Sequence, residues 1–286
     1  MYILLAVSIA LAVLKSTIYN VYAKKVSPDS AGVMRFNAIS YGIAAIIALC
    51  MASGSSVSLP TVIVALFYAV VVCSLQTLSV IAMKIGPMSS TSLMVLYGMI
   101  IPAIAGPIFW KEKIGVLAVV GIIFILVSMW LLRKEETQSK AISKKWSAFV
   151  IILFFLSGFA GVLEKIHQST DGREEKSMFL FVAYLIMFLV STVGYFMKKK
   201  GAQYEPLKPM VAYSAISGII IGFYAFINLT LAGNLDSMIY YPVANGGAML
   251  LTVLVSVAVF KEKCTKRHII GFVIGFISIL LLSLPV

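Results

Sequence analysis

Lys15 is the residue whose type most demands an explanation. It lies in an apolar run close to the start of the chain, and at about 1.5 Å of rise per helical residue it sits roughly 20 Å along the axis from Tyr2. An ammonium at that depth in hydrocarbon costs a few kcal/mol unless it faces a cavity, a carboxylate or an anionic ligand. The plainer account is a side chain that snorkels to the headgroups. Ser8, Lys15, Tyr19 and Tyr22 recur at helical spacing and share one face. Tyr213, Ser217, Tyr224 and Asn228 form a second such face, and Tyr241, Asn245 and Thr252 a third. Aromatic rings grip apolar solutes while hydroxyl and amide tips orient them, which suits an amphipathic organic substrate. Tyrosines near a bilayer surface also form aromatic belts. Gln76 and Tyr97 complete the candidate binding set, with hydrogen bonding between helices as their alternative role.

Glu164 is the one acidic residue that falls inside an apolar run, which makes it the candidate for carrying a coupling proton. It also begins a polar cluster with Lys165, His167 and Asp171, the kind of grouping that acid–base chemistry at a membrane boundary would need. Arg173, Glu174, Glu175 and Lys176 follow directly, so a solvated loop is the expectation there and no residue is read as catalytic. The chain has no G-x-x-x-x-G-K-[ST] loop and no H-E-x-x-H, hence no sign of ATP or metal chemistry. Cys50, Cys73 and Cys264 lack a C-x-x-C spacing and read as packing residues, without a zinc site, disulfide framework or cofactor.

The elements that carry these residues follow from hydropathy. With 61% hydrophobic residues, 12% charged and a mean hydropathy of +1.02, the chain lies far outside the usage of soluble domains. Charged or Gly/Pro/Ser-rich joints divide it into ten runs of membrane-spanning length, 2–23, 32–53, 61–83, 88–109, 114–132, 147–166, 177–197, 210–232, 238–260 and 268–284. A soluble helical bundle would need polar outer faces, and 114–132 has none. The first run resembles a signal peptide but lacks a basic leader and a clear cleavage site, so it is read as helix one. The net charge of +12 sits in short connections, where it acts as a topology signal rather than a nucleic-acid surface. Connections that follow odd-numbered runs hold sixteen Lys and Arg residues against five in the others, which sets the former in the cytoplasm and both termini outside.

A constant shift of 150 lays Ile81–Gly121 over Leu231–Gly271 without a gap. Ala82 meets Ala232, Met88 meets Met238, Lys111-Glu112-Lys113 meets Lys261-Glu262-Lys263 and Gly121 meets Gly271. The charged tripeptides close runs four and nine and read as boundary markers, with a part in closing gates as the alternative. Two five-helix units are expected, residues 1–136 and 137–286, and an odd number of spans in each makes the repeat inverted. Pro102, Gly106 and Pro107 are expected to interrupt run four, and Pro242, Gly246 and Gly247 to open run nine, with bends that serve either gating or packing alone. Gly271 and Gly275 permit close approach of another helix, expected within a monomer rather than across a dimer.

Ten helices as five plus five, with Lys111-Glu112-Lys113 and Lys261-Glu262-Lys263 closing helices four and nine, resemble the EamA-like branch of the drug/metabolite transporter superfamily. The resemblance covers nearly the whole chain. It implies a secondary-active carrier of small metabolites or drugs, exporting or exchanging, often proton-coupled and without a nucleotide-hydrolysing part. The combined expectation is an all-α integral protein of the cell membrane with ten transmembrane helices, alternating access and a small-molecule substrate. A membrane-embedded enzyme and a passive channel are the alternatives, and neither a catalytic cluster nor a charged or carbonyl-lined filter speaks for them.

Overall fold

The computed structural model describes residues 1–26, 29–52, 56–85, 88–113, 115–132, 144–198, 207–260 and 266–283. Among the described residues every regular element is helical. The order is α1 (Tyr2–Val26), α2 (Ser30–Met51), α3 (Leu59–Ile85), α4 (Met88–Tyr97), α5 (Ile100–Trp110), α6 (Val116–Leu132), α7 (Lys144–Ser169), α8 (Lys176–Lys198), α9 (Leu207–Asn234), α10 (Ser237–Phe260) and α11 (Lys266–Ser283), with a 3₁₀ turn at Asp171–Glu175. Six of these helices, α1, α2, α3, α7, α8 and α9, include segments long and apolar enough to cross a membrane. Shorter apolar segments lie at Met94–Trp110, Val116–Leu131 and Ile269–Leu281. Large apolar side chains point outward, Ile3 at 81% exposure, Val116 at 80% and Met197 at 78%. Such a surface is unsustainable in water and matches hydrocarbon.

The helices gather into two units, residues 1–73 with 166–233, and residues 74–165 with 234–286. In the first, α2 packs along α8, with Phe188 seated against Gly42. Asp29 caps α2 through the Gly32 N–H at 2.7 Å. Ser40 Oγ donates to the Ser214 carbonyl at 3.0 Å, and a β-carbon on Gly218 would come within 2.6 Å of the Ser40 carbonyl oxygen. Only a glycine lets α2 and α9 approach that closely.

In the second unit α6 packs on α11 and α5 on α10. Ser128 Oγ donates to the Gly271 carbonyl at 2.7 Å, and Ser278 Oγ donates to the Gly121 carbonyl at 2.6 Å. Trp146 donates to Thr91 Oγ1 at 3.1 Å, tying α7 to α4 over a core of Ala82, Val150 and Leu153.

Two expectations are corrected. Run four is interrupted as expected, at Gly98–Met99 one turn before Pro102, but Pro107 lies inside a continuous helix, and Pro242 stands in the second turn of α10. The Pro102 ring crowds the carbonyl four residues back and offers no N–H to it. The chain responds with tighter turns, Gly98 N donating to the Val95 carbonyl at 3.1 Å and Ile101 N to that of Gly98 at 3.0 Å. Run six does not end at residue 166 in a solvated loop, for α7 continues to Ser169 and buries His167 and Gln168. His167 stacks on Phe179 at 4.1 Å between centroids, an apolar contact that outweighs the polar look of the local sequence.

Candidate functional site

Within the first unit α1 and α9 run antiparallel, so residues rising along one meet residues falling along the other. Ser8 Oγ donates to Asn228 Oδ1 at 2.5 Å, the Lys15 ammonium lies 4.4 Å from the Tyr224 ring centroid, and the rings of Tyr22 and Tyr213 sit 6.3 Å apart. The two faces read from the sequence are thus one surface. A cation over a ring is worth about 0.5–2 kcal/mol, rising as water is removed, and it holds Lys15 half-buried in an oriented position. Tyr19 sits one turn beyond Lys15, edge-on to Phe36 at 5.1 Å, with its hydroxyl beside Ser217. Beneath lies an aromatic floor, where Tyr22 stacks on Phe36 at 4.3 Å over Met210.

Two residues that sequence reasoning did not single out enter this surface. Tyr41 of α2 and Tyr184 of α8 are buried with rings nearly parallel, 6.1 Å apart at 13°. Tyr41 is within electrostatic reach of Tyr19, Tyr184 and Cys73. Tyr184 stands in an apolar stretch without a polar stripe, whereas Asn37 one turn before Tyr41 is the spacing signal that could have marked Tyr41.

The other candidates belong to the second unit. Gln76 and Tyr97 are half-buried on α3 and at the last residue of α4. Asn245 donates to the Tyr241 carbonyl of its own helix at 2.9 Å, which engages its amide locally. Glu164 is half-buried on α7, within electrostatic reach of Tyr241, whose hydroxyl donates to the Gly161 carbonyl at 2.5 Å. Tyr241 is therefore an interior residue and not part of a surface belt. The side chain of Thr252 lies outside the described residues.

Glu112 does more than mark a boundary. Lys111 takes a left-handed conformation, φ 54°, which ends α5 and turns the next side chain inward. The Glu112 carboxylate then accepts from the Ser237 N–H at 2.7 Å and its hydroxyl at 3.1 Å, capping α10, and pairs with Lys165 at 2.8 Å. Lys165 also donates to the Leu235 carbonyl at 3.0 Å. An anion at a helix N-terminus satisfies donors that the helix cannot. Glu175 repeats the device in the first unit, accepting from the Ser58 N–H at 2.9 Å and its hydroxyl at 2.8 Å where α3 begins. Glu262, which the shift of 150 lays on Glu112, lies outside the described residues. A β-carbon at Gly106 would collide with the Glu112 carboxylate and come within 2.9 Å of Ser237 Cβ. Gly106→Ala is expected to lower stability by about 1–3 kcal/mol, read as a lower midpoint of thermal unfolding in detergent.

Among the described residues no three His, Cys, Asp or Glu side chains gather as metal ligands do. The helices and their apolar exterior define a multi-pass membrane protein. Residues 2–134 match the model of the EamA-like transporter family. The family is one of membrane transporters of small molecules. Of the solved structures, 28 chains match. One crystal structure superposes with a TM-score of 0.74 over 98% of this chain and 98% of its own, at 12% identity, a likeness of fold alone. No curated protein matches the sequence.

Proposed function

We propose that the protein is a secondary-active transporter that carries a small organic metabolite across the cell membrane by alternating access, as an exporter or exchanger. The observation that carries the reading is the Lys15 ammonium held over Tyr224 in a tier of tyrosine hydroxyls, far from the ends of α1. A charge at that depth is rare in membrane helices and marks a substrate or ion path. Its sign favours a carboxylate or phosphate and disfavours cations. Tyr19, Tyr224 and Asn228 share the site with Lys15, and Gln76, Tyr97 and Asn245 are further binding candidates.

Ten spans as two inverted five-helix repeats supply the two conformations of similar energy that alternating access requires. The repeat is supported by the paired bonds between α6 and α11. A shift of 150 converts Ser128 into Ser278 and Gly121 into Gly271, so the two hydrogen bonds are each other's counterparts. Each unit of contacts draws helices from both sequence halves, which is what interlocked repeats produce.

Purified protein is to be screened for thermal stabilisation by organic acids, amino acids, nucleosides, quaternary amines and sugars, and the stabilising solute followed into proteoliposomes. The expected result is saturable uptake, accelerated by the same solute inside the vesicle, with the solute recovered chemically unchanged. Uptake linear in concentration and indifferent to internal solute points to a channel, and a modified solute to an enzyme. Glu164 is the candidate for proton coupling. Uptake driven by an imposed pH gradient is expected to be lost in Glu164→Gln, and indifference of the wild type to the gradient removes proton coupling.

A further inference from the structure

Ser217 and Asn37 are 0% and 2% exposed, yet among the described residues nothing hydrogen-bonds Ser217 Oγ or Asn37 Oδ1. The Tyr19 hydroxyl stands next to Ser217 but off hydrogen-bonding geometry. Native interiors pair such atoms, and each exception needs an explanation. The surroundings supply one. Asn37 lies on α2 one turn before Tyr41, beside the point where Ser40 reaches the Ser214 carbonyl of α9. Ser217 lies on α9 one turn beyond Ser214 and level with Tyr19. The Tyr19 and Tyr184 hydroxyls and the Cys73 thiol are each within electrostatic reach of Tyr41. Five helices, α1, α2, α3, α8 and α9, thus turn polar tips toward one level of the first unit.

We propose that Asn37 and Ser217 form a hydrogen-bonding tier of the Lys15 site, and that the transported anion carries a hydroxyl or amino donor on its carbon skeleton. This rests on the transporter reading above and narrows its substrate class. Lys15 and Tyr19 are one helical turn apart, about 5.4 Å, so an anionic group at Lys15 leaves a neighbouring substituent opposite Ser217. That spacing fits a hydroxy or amino carboxylic acid, or a phosphorylated polyol. Asn37 Oδ1 accepts only, which calls for a donor on the ligand. An analogue without the donor leaves buried oxygens dehydrated and unpaired, and sites of this kind discriminate strongly against it.

The test uses the full chain in detergent and matched anion pairs: lactate with propionate, phenyllactate with phenylpropionate, and glycerol 3-phosphate with propyl phosphate. Dissociation constants are measured for the wild type, Ser217→Ala, Asn37→Leu and Lys15→Met. In at least one pair the donor-bearing member is expected to bind the wild type at least about tenfold more tightly. Ser217→Ala or Asn37→Leu should erase most of that preference while leaving the donor-free member unchanged. Lys15→Met should weaken both members. Among the described residues Ser217 Oγ has no hydrogen-bond partner, and its neighbour Tyr19 keeps its ring contact with Phe36, so Ser217→Ala is the milder substitution and carries the test if Asn37→Leu fails to fold. Members that bind alike, or a preference that survives the substitutions, overturn the inference. If anions still bind the wild type and not Lys15→Met, the transporter reading stands without it. If no anion in the set binds the wild type, both the donor requirement and the anionic substrate fall.

Discussion

Lys15→Met is expected to reduce transport of an anionic solute by about thirtyfold or more while leaving the protein folded. Removing one partner of a buried, hydrogen-bonded charge pair costs about 2–5 kcal/mol or more, and each 1.4 kcal/mol or so is a factor of ten. Methionine keeps most of the alkyl bulk, and its sulfur retains a favourable contact with the Tyr224 ring that Lys15 covers at 4.4 Å. Thermal unfolding should therefore move little. Lys15→Arg restores the charge and should recover part of the uptake. Normal uptake by Lys15→Met makes the residue a snorkelling side chain and the ring contact mere packing.

The second large effect concerns stability. Glu112→Ala removes the cap of α10 and strands Lys165, whose side chain is only 12% exposed in the pair. Breaking a buried ion pair from one side costs about 3–5 kcal/mol, because the remaining charge stays desolvated. Much of that cost belongs to Lys165, so Glu112→Ala combined with Lys165→Met is expected to be more stable than Glu112→Ala alone. The double variant should still fall below the wild type, since the Ser237 N–H and hydroxyl have lost their acceptor. Unfolding midpoints of the four proteins in one detergent measure the coupling. Additive losses remove the ion pair from the account and leave only the cap.

Much of the site was legible because helical spacing is local. Ser8, Lys15, Tyr19 and Tyr22 on one helix, and Tyr213, Ser217, Tyr224 and Asn228 on another, are faces that 3.6 residues per turn define without a partner. Their meeting was not readable, since contact depends on which helices adjoin. Asn37, Tyr41 and Tyr184 stayed hidden for that reason. They sit in largely apolar helices, and acquire meaning from α1 and α9 beside them. Run four breaks at Gly98–Met99 and not at Pro102 itself because proline acts on the carbonyl four residues upstream, which here is Gly98. His167 has charged neighbours in the sequence that point to solvent, whereas Phe179 of α8 covers it.

The sequence by itself determined that this chain is helical and lives in a membrane. Composition and run length suffice there, because a backbone in hydrocarbon has to satisfy its own hydrogen bonds. It also determined that KEK recurs and that Gly271 and Gly275 permit a close helix, since a shift of 150 and a G-x-x-x-G are properties of one string of letters. Only the tertiary structure decided that Glu112 is a buried cap paired with Lys165, while Lys111 on one side and Lys113 on the other remain exposed. All three are charged residues at a helix end, and the sequence treats them alike. The difference is that one side chain finds the N-terminus of α10 and an ammonium within reach, and the desolvation of a carboxylate is offset only where such partners converge.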